Sequence, residues 1–236
     1  LLEGLAVDEL MDCEKASHVG IDKQDVLVAV HAGSRRVGSA VWDYTLKNLG
    51  RGVLPSEKVF DYTALMYGAL NCASANRALL AWRLANCIRK TTWTYLFDKC
   101  HNYVARETCS ETELLVHRKG AVRAEAGEVF FLPGSRGDYS YLMQGTGNPE
   151  WLCSVAHGAG RKMSRQEAAD KMEHKYKRDE LCRTSLGSHV VCDESKLLYQ
   201  EAPEAYKPVD SVRQCMEDYD AARTVARLRP LVTIKC

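Results

Sequence analysis

The hydrophobic positions of this chain follow two patterns. Short apolar or alternating runs, each closed by glycine, proline or a polar turn, predict β-strands. Longer stretches of helix-forming residues predict α-helices. We therefore expect strands at 25–30, 113–117, 128–132, 188–192, 196–200 and 225–235, and helices at 62–92, 164–181 and 208–222.

The order of these elements predicts an α+β fold of mixed β-sheets with helices, in one domain over residues 1–236. The stretch 62–92 is rich in alanine and leucine, which predicts a largely buried helix or helix pair. The runs 188–192 and 196–200 are close enough in sequence to form a hairpin.

Composition narrows the class of protein. The 236 residues are 46% hydrophobic, enough for a sizeable core, and the formal net charge of +1 excludes a globally basic nucleic-acid binder. A polyanion would have to meet a local basic cluster. The ten cysteines form no Cys-x-x-Cys pair, which argues against a zinc finger and favours reduced thiols in the cytoplasm.

The segment His157-Gly-Ala-Gly-Arg-Lys-Met-Ser-Arg165 places a histidine on a glycine-rich loop before a helix. The two glycines let backbone amides approach a ligand, and the following helix N-terminus favours an anion. Ser164 and Glu167 form the Ser-x-x-Glu pattern of a capping box. The pattern indicates a phosphate-binding loop, and an ordinary turn before a surface helix is the alternative.

Three histidines, His31, His101 and His157, each end an apolar stretch and begin a polar or glycine-rich turn. Imidazoles at the ends of rigid strands suit sites that combine a transition metal with phosphate. A single histidine of this kind is more often a structural residue. It is the repetition of the setting that indicates a shared site.

An ordered set of motifs resembles the RtcB-type RNA ligases along nearly the whole chain. The glycine turn 133–141 and the C-terminal Leu-Arg-Pro-Leu-Val-Thr-Ile-Lys are most similar to the branch encoded beside release factor H. The motifs are His31-Ala-Gly-Ser-Arg35, Asn71-Cys-Ala-Ser-Ala-Asn-Arg77, His101-Asn102, His117-Arg-Lys-Gly-Ala-Val-Arg-Ala124, Pro133-Gly-Ser135, Ser140-Tyr141, the segment 157–165, Glu201-Ala-Pro-Glu-Ala-Tyr-Lys207 and 225–235.

The resemblance implies a reaction and a set of roles. RNA with a 3′-phosphate or 2′,3′-cyclic phosphate end would be joined to a 5′-hydroxyl end, in RNA repair or tRNA splicing, with GTP and Mn²⁺ as cofactors. His157 would carry GMP, His31 and His101 would bind manganese, and Arg35, Lys119 and Arg165 would meet RNA phosphates. The guanylate pocket would comprise Asn102, Pro133, Gly134, Ser135, Ser140, Ala159, Gly160, Arg161, Tyr206 and Lys235.

The resemblance also implies partners: damaged ribosomal RNA or tRNA as substrate, and release factor H or an archease-like activator as functional partners. Two further family motifs, Asp-x-x-Cys and Gly-Asn-His-Phe, are missing from the sequence. We therefore expect an N-terminally truncated copy of the family domain that alone is an incomplete enzyme. Arg36 also stands where the family usually has glycine.

Two other functions fit the same residues. A non-catalytic relic of the fold would bind RNA or nucleotide without metals, and a metal-dependent phosphoesterase would release phosphate to water. A basic channel is expected if the turns that carry the arginines and lysine meet in space. Its members would be Arg35, Arg118, Lys119, Arg123, Arg161 and Arg165.

Overall fold

A computed structural model describes residues 1–88, 92–109 and 111–235. It contains six α-helices and ten strands within that part of the chain. The helices are α1 (Cys13–Val19), α2 (Arg36–Asn48), α3 (Val59–Cys87), α4 (Arg165–Lys175), α5 (Ser195–Gln200) and α6 (Val209–Asp218). The strands are β1 (Leu2–Leu10), β2 (Val26–Val30), β3 (Asn102–Cys109), β4 (Thr112–Lys119), β5 (Ala121–Arg123), β6 (Val129–Leu132), β7 (Ser140–Gly145), β8 (Ser154–Ala156), β9 (His189–Cys192) and β10 (Ala222–Lys235).

A six-stranded sheet organises the fold, in the order β2-β1-β10-β7-β6, with β9 added beside β10. The long β10 pairs antiparallel with β1 on one side. On its other side the first half pairs antiparallel with β7, and the last residues pair parallel with β9. The predicted α+β class is confirmed.

Both faces of the central sheet are buried at β7. Side chains on successive residues of this strand point to opposite faces, and they belong to different core clusters. Tyr141 and Met143 belong to a core cluster that includes Val209 and Met216 of α6. Leu142 belongs to a second cluster on the other face, with Leu5 of β1 and the apolar residues of β10. The sheet therefore provides a rigid base for the loops at its strand ends.

Two antiparallel pairs extend from this base. Strands β3 and β4 form a hairpin from Asn102↔Lys119 to Cys109↔Thr112, and β5 pairs with β8. The hairpin is held to its neighbour by Arg118, whose buried guanidinium donates to both oxygens of Glu107 (2.5 and 2.8 Å), and to the carbonyl of Leu152 (2.8 Å). Strand β3 begins directly after His101 and β8 ends directly before His157, so these two strand pairs help to position both histidines.

Several predicted elements are confirmed, and others need correction. The strands at 25–30, 113–117, 128–132, 188–192 and 225–235 are present with small changes of boundary. The run 196–200 lies in helix α5, so the predicted hairpin is wrong, and β9 pairs instead with β10. The helix from 164 stops at Lys175, and the helix from 208 stops at Asp218 because Ala222 already begins β10.

The predicted helix 62–92 is present as α3, which ends at Cys87, and residues 89–91 lie outside the described part. Its predicted burial is wrong. Only Met66 and Ala73 are buried among the residues of α3, and α2 buries none. Large apolar side chains such as Phe60 and Trp82 are exposed. No helix in the described ranges is both long enough and apolar enough for a bilayer crossing.

Candidate active site

Three imidazoles from three separate segments meet at one point. His31 follows β2, His101 precedes β3 and His157 follows β8. The Nε2 atoms of His31 and His101 are 3.2 Å apart, and the rings of His101 and His157 stack with centroids 3.7 Å apart. Potential ligand atoms of all three lie within 4.8 Å of one another. The structure thus brings together the three histidines that the sequence analysis singled out.

Main-chain hydrogen bonds set the positions of these histidines. The amide of His31 donates to the carbonyl of Leu1 (2.9 Å), and the amide of His157 donates to the carbonyl of Gly120 (3.2 Å). The amide of Gly120 in turn donates to the carbonyl of His101 (2.8 Å). His101 and His157 are therefore linked through one residue of the turn between β4 and β5.

The imidazoles are held neutral at physiological pH. Burial, together with the neighbouring imidazoles, lowers the pKa of His157 to about 3 and that of His31 to about 4. Burial also lowers the pKa of His101. Neutral imidazoles offer lone pairs, which both metal coordination and nucleophilic attack require.

The residues present fit a divalent metal ion. Three nitrogen ligands within 4.8 Å suit a transition metal and leave coordination positions open. The Nδ1 atom of His101 is buried and has no hydrogen-bond partner among the described residues, so it is available as a ligand. Among the histidine, cysteine and acidic residues that the structure describes, these three histidines are the group that lies close enough together to hold an ion.

The acidic residues that lie close to His101 in the sequence do not join the group of imidazoles. Asp98 is engaged by Arg77 and Ser74, and Glu107 is engaged by Arg118. Cys100 lies 3.8 Å from Nη2 of Arg77. Among the described residues the candidate metal group is therefore made of imidazole alone.

Two glycine loops meet beside His157. The amide of Ala159 donates to the carbonyl of Pro133 (3.2 Å), and the amide of Gly134 donates to Oγ of Ser140 (3.1 Å). A Cβ on Gly134 would stand 2.0 Å from the carbonyl oxygen of Tyr139, so only glycine fits there. Gly160 has a φ of 73°, which glycine adopts without strain.

The other predicted pocket residues lie around these loops. Asn102 accepts a hydrogen bond from the amide of Gly120 (3.0 Å) next to His101, and Ser135 is buried in the loop after Gly134. The backbone of Arg161 pairs with that of Tyr206, and the carbonyl of Gly160 accepts from the amide of Lys207 (2.9 Å). The structure thus brings segments 133–140, 157–162 and 201–207 together.

A buried carboxylate, Glu201, ties the pocket side chains to one another. Its Oε2 accepts from the hydroxyl of Tyr206 (2.6 Å) and from Nζ of Lys235 (2.8 Å). Its Oε1 accepts from Nη1 of Arg161 (3.3 Å) and lies 3.6 Å from Nε of Arg165. These partners, the Lys235 charge first among them, hold the pKa of Glu201 at about 2 despite its burial. Lys235 is thereby joined to the pocket from the end of β10.

The arginines predicted to bind phosphate differ in their exposure and in how many of their hydrogen-bond donors are already used within the protein. Arg161 donates to Glu201, Tyr206 and the carbonyls of Gln200 and Met163, so most of its hydrogens are used within the protein. Arg165, by contrast, is 70% exposed at the start of α4.

The two remaining predicted RNA contacts are also exposed. Lys119 is close enough to His101 to lower its pKa electrostatically. Arg35 precedes α2 and lines an open cavity of about 700 Å³ with Arg36 and Asn76.

One member of the predicted basic channel is misplaced. Arg118 is 4% exposed and paired with Glu107, so it faces the protein interior and not a nucleic acid. Arg123 pairs with Glu125. Alternation along a strand explains the difference, because neighbouring Lys119 points to the opposite side.

Sequence reasoning missed two groups of residues at the site. Glu201 stands in a quoted motif, but its role depends on partners that are far apart in sequence. Arg77, also in a quoted motif, forms an ion pair with Asp98 beside two of the imidazoles. For Arg77 the signal available in the sequence was a single charged residue at the end of a motif of small and polar uncharged residues.

Comparison with known proteins gives the family. The family model described as tRNA-splicing ligase RtcB matches residues 1–236. This chain belongs to the RtcB family. It is 38% identical over 231 residues to "RNA-splicing ligase RtcB2" of Escherichia coli, covering 97% of this chain and 60% of that protein.

More distant relatives give the same family. "RNA-splicing ligase RtcB" of Mycobacterium tuberculosis is 32% identical over 274 aligned positions, covering 99% of this chain and 62% of that protein. "tRNA-splicing ligase RtcB" of Methanocaldococcus jannaschii is 31% identical, covering 99% and 28%. This RtcB chain therefore spans less than two thirds of the length of these relatives.

Proposed function

We propose that this RtcB chain is the catalytic region of a GTP- and manganese-dependent RNA ligase. It would join RNA 3′-phosphate or 2′,3′-cyclic phosphate ends to 5′-hydroxyl ends. The observation that carries the proposal is the meeting of three neutral imidazoles beside two glycine loops. Relatives named as RNA-splicing ligases support the reaction class.

His157 is the proposed nucleophile. Its neutral imidazole attacks the α-phosphorus of GTP, so that a nitrogen–phosphorus bond forms and the α–β phosphoanhydride bond breaks, releasing pyrophosphate. A 2′,3′-cyclic phosphate end first adds water and opens to a 3′-phosphate. An oxygen of the RNA 3′-phosphate then attacks the phosphorus of the His157 adduct, so that the nitrogen–phosphorus bond breaks and GMP passes to the RNA end. The 5′-hydroxyl attacks the activated 3′-phosphate, and GMP leaves.

His31 and His101 are the proposed manganese ligands, and His157, although close enough to join them, is the side chain that reacts with GTP. The ion, when bound, supplies positive charge that offsets the charge of the phosphates. The protein contributes orientation: the stacked ring of His101 holds the plane of His157, 7° from its own. The main-chain bond from His157 to Gly120 fixes the loop that carries the nucleophile.

The guanylate is proposed to lie against the two glycine loops, where backbone amides are accessible because Gly134 and Gly160 carry no side chain. Tyr206 and Lys235 are held at the pocket by Glu201. Arg165, Lys119 and Arg35 are the proposed contacts to RNA phosphates, since all three are exposed. Damaged ribosomal RNA or tRNA is the proposed substrate, with release factor H or an archease-like protein as functional partner.

Incubation with α-labelled GTP and Mn²⁺ tests the proposal. The chain should be compared alone and with a supplied segment carrying the Asp-x-x-Cys and Gly-Asn-His-Phe motifs. We expect strong labelling only with that segment, in an adduct that is labile to acid and stable to alkali. His157→Ala should remove the label, and His174→Ala, an exposed histidine on α4, should keep it.

Other outcomes would favour the other functions. Label that persists in His157→Ala would contradict the assignment of the nucleophile. GTP binding without any covalent label would favour the non-catalytic relic. Release of inorganic phosphate from an RNA 3′-phosphate, with no joined product, would favour the phosphoesterase.

A further inference from the structure

Arg77 on α3 contacts the segments that carry two of the three histidines. Its Nη1 donates to the carbonyl of Ala32 (3.0 Å), the residue directly after His31. Its Nε and Nη2 donate to the two carboxylate oxygens of Asp98 (2.5 and 2.7 Å), three residues before His101. One planar guanidinium thus spans two segments whose histidines are 70 positions apart.

The surroundings of Arg77 fix it in this position. Asp98 also accepts from the hydroxyl of Ser74, one turn earlier on α3 (2.7 Å). The neighbouring Asn76 donates to the carbonyl of Gly33 (3.0 Å). The side chains of Arg77 and Asp98 are only 14% and 24% exposed. A bidentate, partly buried pair of this kind has defined geometry, unlike an exposed ion pair.

The segments that Arg77 joins have little regular structure of their own. His31 lies just after the last residue of β2, and residues 92–100 form neither helix nor strand. The distance between the Nε2 atoms of His31 and His101 therefore depends on contacts such as those of Arg77. The ammonium group of lysine is a point charge without the planar, forked donors of a guanidinium, so lysine cannot reproduce the three contacts.

We propose that Arg77, oriented by Asp98, is a positioning residue that sets the separation of His31 and His101. Arg77 is not a ligand of the site. It acts through its hydrogen bonds to the main-chain carbonyl of Ala32 and to the carboxylate of Asp98. The inference deepens the proposed function and rests on it for its catalytic meaning. The structural claim itself concerns only the geometry of the two rings.

Two measurements on Arg77→Lys and Asp98→Asn test this inference. The first is the nuclear Overhauser effect between ring protons of His31 and His101, without metal, GTP or RNA. The second is Mn²⁺ affinity from the electron paramagnetic resonance of the free ion. Arg83→Lys, an exposed arginine on the same helix, is the matched control. Circular dichroism and thermal unfolding show whether each variant keeps its fold.

We expect both variants to lose the ring contact and to bind Mn²⁺ about 10–100-fold more weakly, the usual effect of removing an outer partner of a metal site. The control should match the unaltered chain. Because both changes break the same pair, the double variant should be no weaker than the more affected single variant. A purely structural role in anchoring α3 would lower thermal stability and leave the ring contact and Mn²⁺ affinity unchanged.

The inference is overturned if folded Arg77→Lys and Asp98→Asn both keep the ring contact and an Mn²⁺ affinity within about twofold of the unaltered chain, well below the change expected. It can fail independently of the proposed function. Loss of the ring contact in the variants, together with no GMP label in any form of the protein, would reject the ligase proposal and leave this inference standing.

Discussion

His157 is the residue on which the chemistry depends, and its neutral state affects stability. Its pKa is about 3 in the folded chain, against the ordinary histidine value of 6.5. Between these values the unfolded chain binds a proton that the folded chain does not. Stability must therefore fall as the pH falls below 6.5, by roughly 1 kcal/mol per pH unit for this histidine.

We expect urea unfolding between pH 6.5 and 4.5 to show this loss. His157→Asn should flatten the pH dependence, and His174→Asn should not. Glu201 contributes in a separate pH range. Its pKa is lowered to about 2, so its contribution to stability falls only below the ordinary glutamate value of 4.5. An unchanged slope in His157→Asn would show that the imidazole is not held neutral.

Arg161 and Arg165 differ in environment, and we expect them to differ in role. Arg161→Ala should impair GMP attachment, because it leaves Glu201 and Tyr206 without a partner that orients them. Arg165→Ala should leave attachment largely intact, weaken RNA joining and flatten its salt dependence, since each phosphate contact adds to the salt slope. The comparison requires labelling and joining assays over a series of salt concentrations. Equal loss of both steps in both variants would reject this division.

At the scale of single elements, two glycines have opposite expected effects. Gly68 lies in the exposed part of α3 with no atom near its missing Cβ. Gly68→Ala should stabilise the chain by about 0.5–1 kcal/mol through helix propensity. Gly134→Ala should cost about 1–3 kcal/mol or more, because its Cβ would overlap the backbone of Tyr139.

Urea denaturation of the two variants measures both changes. Gly134→Ala should also lower GMP labelling, because the loop beside His157 must shift, while Gly68→Ala should not. Stability of Gly134→Ala equal to that of the unaltered chain would mean that the loop adapts without strain.

Elements with strong local signals were predictable from sequence, and pairings between distant elements were not. Val26–Val30 and Val129–Leu132 are short apolar runs bounded by turns, and both are strands. Residues 196–200 carry a similar local pattern but form α5, and β9 pairs with the last four residues of β10. A parallel pairing between residues 43 positions apart leaves no mark on a local pattern.

The same limit applies to the long helix. Its composition predicted α3 correctly, but burial depends on what packs against it. In the described part of the chain, α3 packs mainly on α2 and the end of β2. Exposed Phe60 and Trp82 follow from this arrangement.

At the scale of the whole molecule, the three histidines that the sequence analysis singled out lie close together, and their roles stay predictions. Each follows or precedes a strand, and strand ends are fixed by the sheet. The partners that hold them were not predictable. Arg77 with Asp98 and Glu201 with Lys235 are pairs separated by 21 and 34 positions, and only the tertiary fold brings them together.

The position of the covalent adduct tests the central claim most directly. After reaction with GTP and Mn²⁺ in the presence of the supplied segment, tandem mass spectrometry of the alkali-stable peptides should find GMP on a ring nitrogen of His157. Phosphorus NMR should show a phosphoramidate signal. GMP on Lys162, Lys235 or another histidine, with His157 unmodified, would contradict the claim.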